Sequence, residues 1–245
     1  MKKASLIAAV VAGLLAEPVF AGVEAEVEGS VVFSSRNDAR IPGDGGTKIS
    51  FIDDLSTNPA PAFRLRLGYR FADRHLVTAL YAPLQVNARG SLDYDVLFEG
   101  GRYPAGSPIL AVYRFDSYRL TYRFSFVRRD GLDVAAGFTA KIRDAETSLY
   151  GVDDRRKTNT GFVPLLNLHV AWRPCNGAFG MLLDADALAA PQGRAEDILL
   201  AGTWAVRPGL ELRVGYRMVE GGADNDEVYS FAWFHYAVVN LELSF

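Results

Sequence analysis

Asn240-Leu241-Glu242-Leu243-Ser244-Phe245 alternates polar and apolar residues without a break. A period of two is that of a β-strand, whose side chains point to opposite faces in turn, so this stretch reads as a strand with one apolar and one polar face. It is the end of a segment that starts near Val228. Upstream the same pattern recurs nearly everywhere.

In the ninth segment Leu210, Leu212, Val214, Tyr216 and Met218 oppose Glu211, Arg213 and Arg217; in the eighth Ile198, Leu200 and Trp204 oppose Asp197 and Thr203. Phe179, Met181 and Leu183 are set against Asp184 and Asp186 in the seventh, and Leu166, Leu168, Val170 and Trp172 against Asn167, His169 and Arg173 in the sixth. The fifth carries Leu132 to Ile142 against Asp133, Thr139, Lys141 and Arg143. The fourth, from about Ile109 to Val127, sets Tyr118, Leu120, Tyr122, Phe124 and Phe126 against Arg119, Thr121, Arg123 and Ser125. A third runs from about His75 to Leu92. The second alternates Phe63, Leu65, Leu67, Tyr69 and Phe71 with Arg64, Arg66, Gly68 and Arg70, and the first Val23, Ala25, Val27, Val31 and Phe33 with Glu24, Glu26, Glu28 and Ser30. An even count of about ten, with eight as the alternative, suits a closed antiparallel membrane barrel.

Connections differ in length on the two rims. Those near Asp73-Arg74, Arg128 to Gly131, Cys175 to Gly177 and Arg207 to Gly209 read as tight turns, three of them with Asp-Gly, Asn-Gly or Pro-Gly chemistry. The others, near residues 36–60, 93–107, 150–161, 190–196 and 220–227, read as longer polar loops. Short turns on one rim and long loops on the other is the asymmetry of outer-membrane barrels.

Residues 1–21 read as an export signal, with Lys2 and Lys3 before an apolar stretch from Ala4 to Ala16 and a Val19-Phe20-Ala21 cleavage site. This leaves residues 22–245 as one domain. No stretch offers the roughly 18 apolar residues of a membrane-spanning helix. A single cysteine, Cys175, excludes an internal disulfide, and a net charge of −3 gives no basic excess for nucleic acid.

Alternation alone does not say which face is apolar. The rings of Phe71, Phe126, Trp172, Trp204 and Phe245 fall at segment ends beside short turns, a girdle that a lipid interface favours and a soluble lipocalin-like core does not need. Turning the second segment over would put Arg64, Arg66 and Arg70 against lipid at about 2 to 4 kcal/mol each near the midplane. The polar set therefore faces the lumen: Arg64, Arg66, Arg70, Arg119, Arg123, Lys141, Arg143, Arg173, Arg213 and Arg217, opposed by Asp133, Asp184, Asp186, Asp197, Glu211 and Glu242. Buried charges need partners, so these should form a hydrogen-bonded network that largely plugs the interior. The excess of cations would give any pore an anion preference.

The export signal, the ten segments and the Leu241, Leu243, Phe245 ending resemble the small monomeric outer-membrane β-barrels of Gram-negative bacteria. That resemblance implies an all-β, transmembrane, up-and-down antiparallel barrel, monomeric, contacting outer-membrane lipid and lipopolysaccharide and inserted by the barrel-assembly machinery, with Leu241, Leu243 and Phe245 in the assembly signal. It does not choose a function. A structural or surface-interaction role without enzymatic activity is the leading expectation; a narrow solute channel and a lipid- or peptide-modifying enzyme are the alternatives.

No cofactor, metal site or catalytic residue is assigned. Asp93-Tyr94-Asp95 resembles the paired aspartates of omptins, ten-stranded outer-membrane proteases, but the chain has no Asp-x-His and the pair reads as a polar loop stem. Lipid A deacylase chemistry needs a serine beside a histidine with a carboxylate to orient the base, yet His235 precedes Tyr236 rather than forming His-x-Ser. Asp224, Asn225, Asp226 and Glu227 lack the spacing of a calcium hand and read as a solvated acidic turn.

Overall fold

The computed structural model describes residues 22–174, 177–190 and 193–245. The expected export signal at 1–21, residues 175–176 of the turn that contains Cys175, and residues 191–192 of the 190–196 connection lie outside the described residues. Fifteen strands follow in order: β1 (Val23–Arg40), β2 (Ile49–Ser50), β3 (Ser56–Thr57), β4 (Ala60–Phe71), β5 (His75–Ala82), β6 (Gln85–Ser91), β7 (Val96–Phe98), β8 (Gly101–Tyr103), β9 (Pro108–Arg129), β10 (Leu132–Tyr150), β11 (Arg155–Trp172), β12 (Phe179–Ala190), β13 (Gly193–Arg207), β14 (Leu210–Asp224) and β15 (Tyr229–Ser244).

These make a closed antiparallel barrel of ten staves. Around the ring they run β1, β4, β5 with β6, β9, β10, β11, β12, β13, β14 and β15, which pairs back with β1 from Glu24↔Ser244 to Arg40↔Tyr229. Each stave neighbours the next in sequence, the up-and-down order that the alternation predicts. β5 and β6 share the third stave, both pairing with β9 on either side of a break that contains Pro83. Proline has no N–H for the ladder, which accounts for a break there. At the short rim Gly131 (φ 78°) and Gly209 (φ 74°) supply the left-handed conformations that the Asp-Gly and Pro-Gly turns require.

Three connections expected as long loops are short. β10 and β11 stay paired out to Leu149↔Arg155, β12 and β13 to Ala190↔Gly193, and β14 and β15 to Asp224↔Tyr229. Arg155 to Thr160 is polar on both faces and so reads as a loop, but ladder hydrogen bonds do not depend on side-chain polarity. Residues 36–40 likewise belong to β1.

The outward faces are apolar over a band that includes Val27, Leu67, Leu120, Phe138, Leu166 and Val214, each exposed. A surface of that extent has no place in water, since exposed apolar patches on soluble proteins stay within a few hundred Å². Phe71, Phe126, Trp172 and Trp204 are exposed at its lower edge. Phe63, Tyr118 and Phe162 mark an upper edge eight to ten residues along β4, β9 and β11. At about 3.4 Å per residue and a tilt near 40°, that separation is roughly 20 to 26 Å, the height of a lipid-facing band. β9, with 22 residues, is about twice as tall. The barrel's outer half therefore stands above the membrane.

A candidate site in the barrel lumen

The lower lumen is a charged layer. Asp197 of β13 receives Arg64 of β4 at 2.8 Å, Arg119 of β9 at 2.6 Å and Arg217 of β14 at 2.5 Å. Arg217 also reaches Glu28 of β1 at 2.7 Å, and Arg119 reaches Asp186 of β12 at 2.9 Å. One step towards the short rim, Asp184 of β12 takes Arg66 at 3.0 Å and Arg123 at 2.9 Å, while Arg213 meets Glu26, Glu211 and Glu242. Asn167 and Thr139 fill the remaining acceptors by donating to Asp186. Since β4 and β12 are the second and seventh staves of ten, the Arg66–Asp184 pair crosses the full lumen.

Several residues of the expected network stand elsewhere in it. Arg70 pairs with Glu24 on the adjacent β1 at 2.7 Å rather than across the interior. Arg173 pairs with Glu211, and Arg143 donates to Asn159. Lys141 is 4% exposed, and among the described residues no carboxylate lies within 4.0 Å of it; its amine rests 4.8 Å from the centre of the Phe115 ring. Glu24, Glu26 and Glu28 were legible on the polar face of the first segment but not placed among the lumen acids. With them the cationic excess, and the anion preference drawn from it, nearly disappears.

Above this layer the lumen changes character. Val86, Ala88, Ile109, Ala111, Tyr113, Ala232 and Phe234 face inward there and are buried. Against them pack Ile41, Ile49, Phe51 and Leu55 from the connection after β1, and Val96, Phe98 and Tyr103 from the β7–β8 hairpin. The two connections are tied together by Thr47 N to Leu97 O at 2.8 Å and Glu99 N to Ile41 O at 2.9 Å. Tyr103 donates its hydroxyl to Leu149 O on β10 at 3.0 Å. This apolar cap is the protein's hydrophobic core. Beside it lies a chamber of about 450 Å³ between β10, β11 and the β12–β15 staves.

The wall of that chamber is incomplete. Among the described residues β11 pairs with β12 only from Leu166↔Ala187 to Trp172↔Met181, although β11 continues outward to Arg155 and stays bonded to β10 throughout. Pro164 stands just beyond the last pair. Phe162 and Pro164, on the outward face, line the same chamber as the inward Lys141, Tyr113 and Phe234, so it opens sideways between β11 and β12.

The catalytic fragments fall in different places. Asp95 accepts from Arg102 at 2.5 Å and from Ala105 N at 2.9 Å, which holds its carboxyl below the usual range and makes it a clasp of the β7–β8 hairpin. Tyr94 donates to Asp54 at 3.1 Å. Asn225 accepts from Glu227 N and Val228 N, so the acidic loop is a turn built on that amide. His75 stacks on Phe71 in the lower girdle, and His169 sits in the lumen beside Arg123 and Asp184. His235 faces outward, with Nε2 2.7 Å from Ser35 Oγ and Nδ1 2.5 Å from the Tyr216 hydroxyl. Ser35 occupies a bulge in β1 that shifts the register against β15, a device that re-aims a side chain. Nothing in the sequence pointed to this pair, which is 200 positions apart.

No protein-family model matches the sequence, and no curated protein matches it either. Among solved structures, the outer-membrane protease OmpT from Escherichia coli superposes with a TM-score of 0.57 at 8% identity, covering 94% of this chain and 99% of that one. The transport unit of the autotransporter AIDA-I from Escherichia coli gives 0.45 at 10% identity, covering 95% and 94%. Neisserial surface protein A gives 0.37 at 12% identity, covering 93% and 100%. At these identities the likeness is one of fold, and the chain has the fold of a Gram-negative outer-membrane β-barrel.

Proposed function

We propose that the protein is a monomeric outer-membrane barrel with a structural or surface-interaction role, its lumen closed to solutes at mid-height. In this reading residues 1–21 are removed on export, and the mature chain is inserted among outer-membrane lipid and lipopolysaccharide by the barrel-assembly machinery. One observation carries the closure: Asp197, Arg64, Arg119 and Arg217 join opposite walls, and each side chain is at most 5% exposed. Charges so placed and so little exposed argue against a continuous water path, and separating them would strand each without a partner. Proteoliposomes containing the protein should not swell in isosmotic solutions of small sugars. Swelling at the rate of a porin control would refute the closure.

The Ser35–His235 hydrogen bond favours a second reading, a lipid-modifying enzyme acting on the outer wall. Serine activation needs a base held by a third group, and here the Tyr216 hydroxyl occupies the place usually taken by a carboxylate. Mass spectrometry of lipid A from cells with the wild type or Ser35→Ala tests it. A change in acylation that requires Ser35 would support the enzyme, and identical lipid A in both would exclude it.

A further inference from the structure

The outer chamber combines three features. It is lined mainly by apolar side chains, including Tyr113, Phe115, Leu188 and Phe234, and its volume of about 450 Å³ lies within the range of small-molecule pockets. At its base stands Lys141, a buried amine 4.8 Å from the centre of the Phe115 ring, with no carboxylate within 4.0 Å among the described residues. Its side wall is open where β11 runs past the end of its pairing with β12. Lys141 is paired in register with Val163, a residue that lines the opening.

A buried cation without a carboxylate is costly unless something supplies the opposite charge. Every arginine of the layer beneath has such a partner; of the chamber's cations, Lys141 and Arg143 have no carboxylate within 4.0 Å among the described residues, and Arg143 has the Asn159 amide instead, which leaves Lys141, the more buried of the two, as the group in want of an anion. We propose that the chamber binds a single-chain anionic amphiphile, a long-chain carboxylate, with its head group on the Lys141 ammonium and its chain against Tyr113, Phe115 and Phe234. The opening lies level with Phe162 at the upper edge of the lipid-facing band, so the ligand enters sideways from the outer leaflet. This goes beyond a closed barrel and stands whether or not the lumen conducts, because the chamber lies above the charged layer.

The test uses the detergent-folded full barrel and displacement of a fluorescent polyene fatty acid, with palmitate, hexadecanol and dipalmitoyl phosphatidylglycerol as competitors. Palmitate should displace the probe saturably, and Lys141→Met should weaken palmitate at least tenfold while leaving hexadecanol unchanged. Lys141→Arg should recover most of the loss. Ala195→Trp, which fills the chamber, should abolish displacement by both single-chain competitors. An unboiled gel shift shows that each variant is folded, so loss of binding is not loss of the barrel. Equal affinity of palmitate in wild type and Lys141→Met, or unaltered binding in Ala195→Trp, would overturn the site. Displacement by the two-chain phospholipid as strong as by palmitate would overturn the single-chain assignment.

Discussion

Asp197 and Lys141 are both buried in the lumen, and the difference between them is instructive. Three arginines converge on the carboxylate, whereas no described carboxylate lies within 4.0 Å of the ammonium. Removing one partner of a buried pair leaves uncompensated charge and costs roughly 3 to 5 kcal/mol, while removing an unpaired charge costs nothing of that kind. Asp197→Ala should therefore lower barrel stability by about that amount, read as the urea midpoint for loss of the compact unboiled gel form. Lys141→Met should be neutral or stabilising in the same assay. Unchanged stability in Asp197→Ala would mean that the lumen is wet enough to screen its charges, and an equally large loss in Lys141→Met would mean that Lys141 is paired.

β11 is a stave with two kinds of edge. From Leu166 to Trp172 it is bonded on both sides, and from Arg155 to Leu165, among the described residues, only to β10. Amide hydrogen exchange in micelles should then show continuous protection in the lower part and fast exchange at alternate residues, those facing β12, in the upper part. Uniform protection along the strand would mean that the wall is closed. The seam between β1 and β15 makes a second element-level prediction, because Phe245 N donates to Val23 O at 3.0 Å and Gly22 N to Phe245 O at 2.7 Å. Deleting Phe245 should reduce membrane insertion far more than deleting a residue of the 225–228 turn; equal insertion would count against its role. Much of this wall was legible in the sequence, because a stave with lipid on one face and charge on the other must alternate. Legibility failed where that contrast ends. Arg155 to Thr160 is wet on both faces, and Phe231 to Tyr236 is aromatic or apolar on both, with Phe234 in the core and Trp233 outside. The lumen charges could be named from the polar face, but not their pairing, which depends on which staves closure brings opposite one another. A bulge, not a motif, aims Ser35 at His235.

At the scale of the whole molecule the barrel has two storeys with different solvents inside. In the membrane, where lipid already accepts the apolar exterior, the interior is ionic and held by arginine–carboxylate pairs. Above it, the first two outer connections fold inward to form an apolar core and leave the side chamber. In the proposed reading the ionic storey seals the barrel. Single-channel recording in planar bilayers tests this most directly, with the wild type and Asp197→Ala inserted under the same conditions. Wild type should give no resolved conductance steps, and the variant, with Arg64, Arg119 and Arg217 released, should give small steps or flickering. Steady ohmic steps from the wild type, unchanged in the variant, would contradict a sealed lumen.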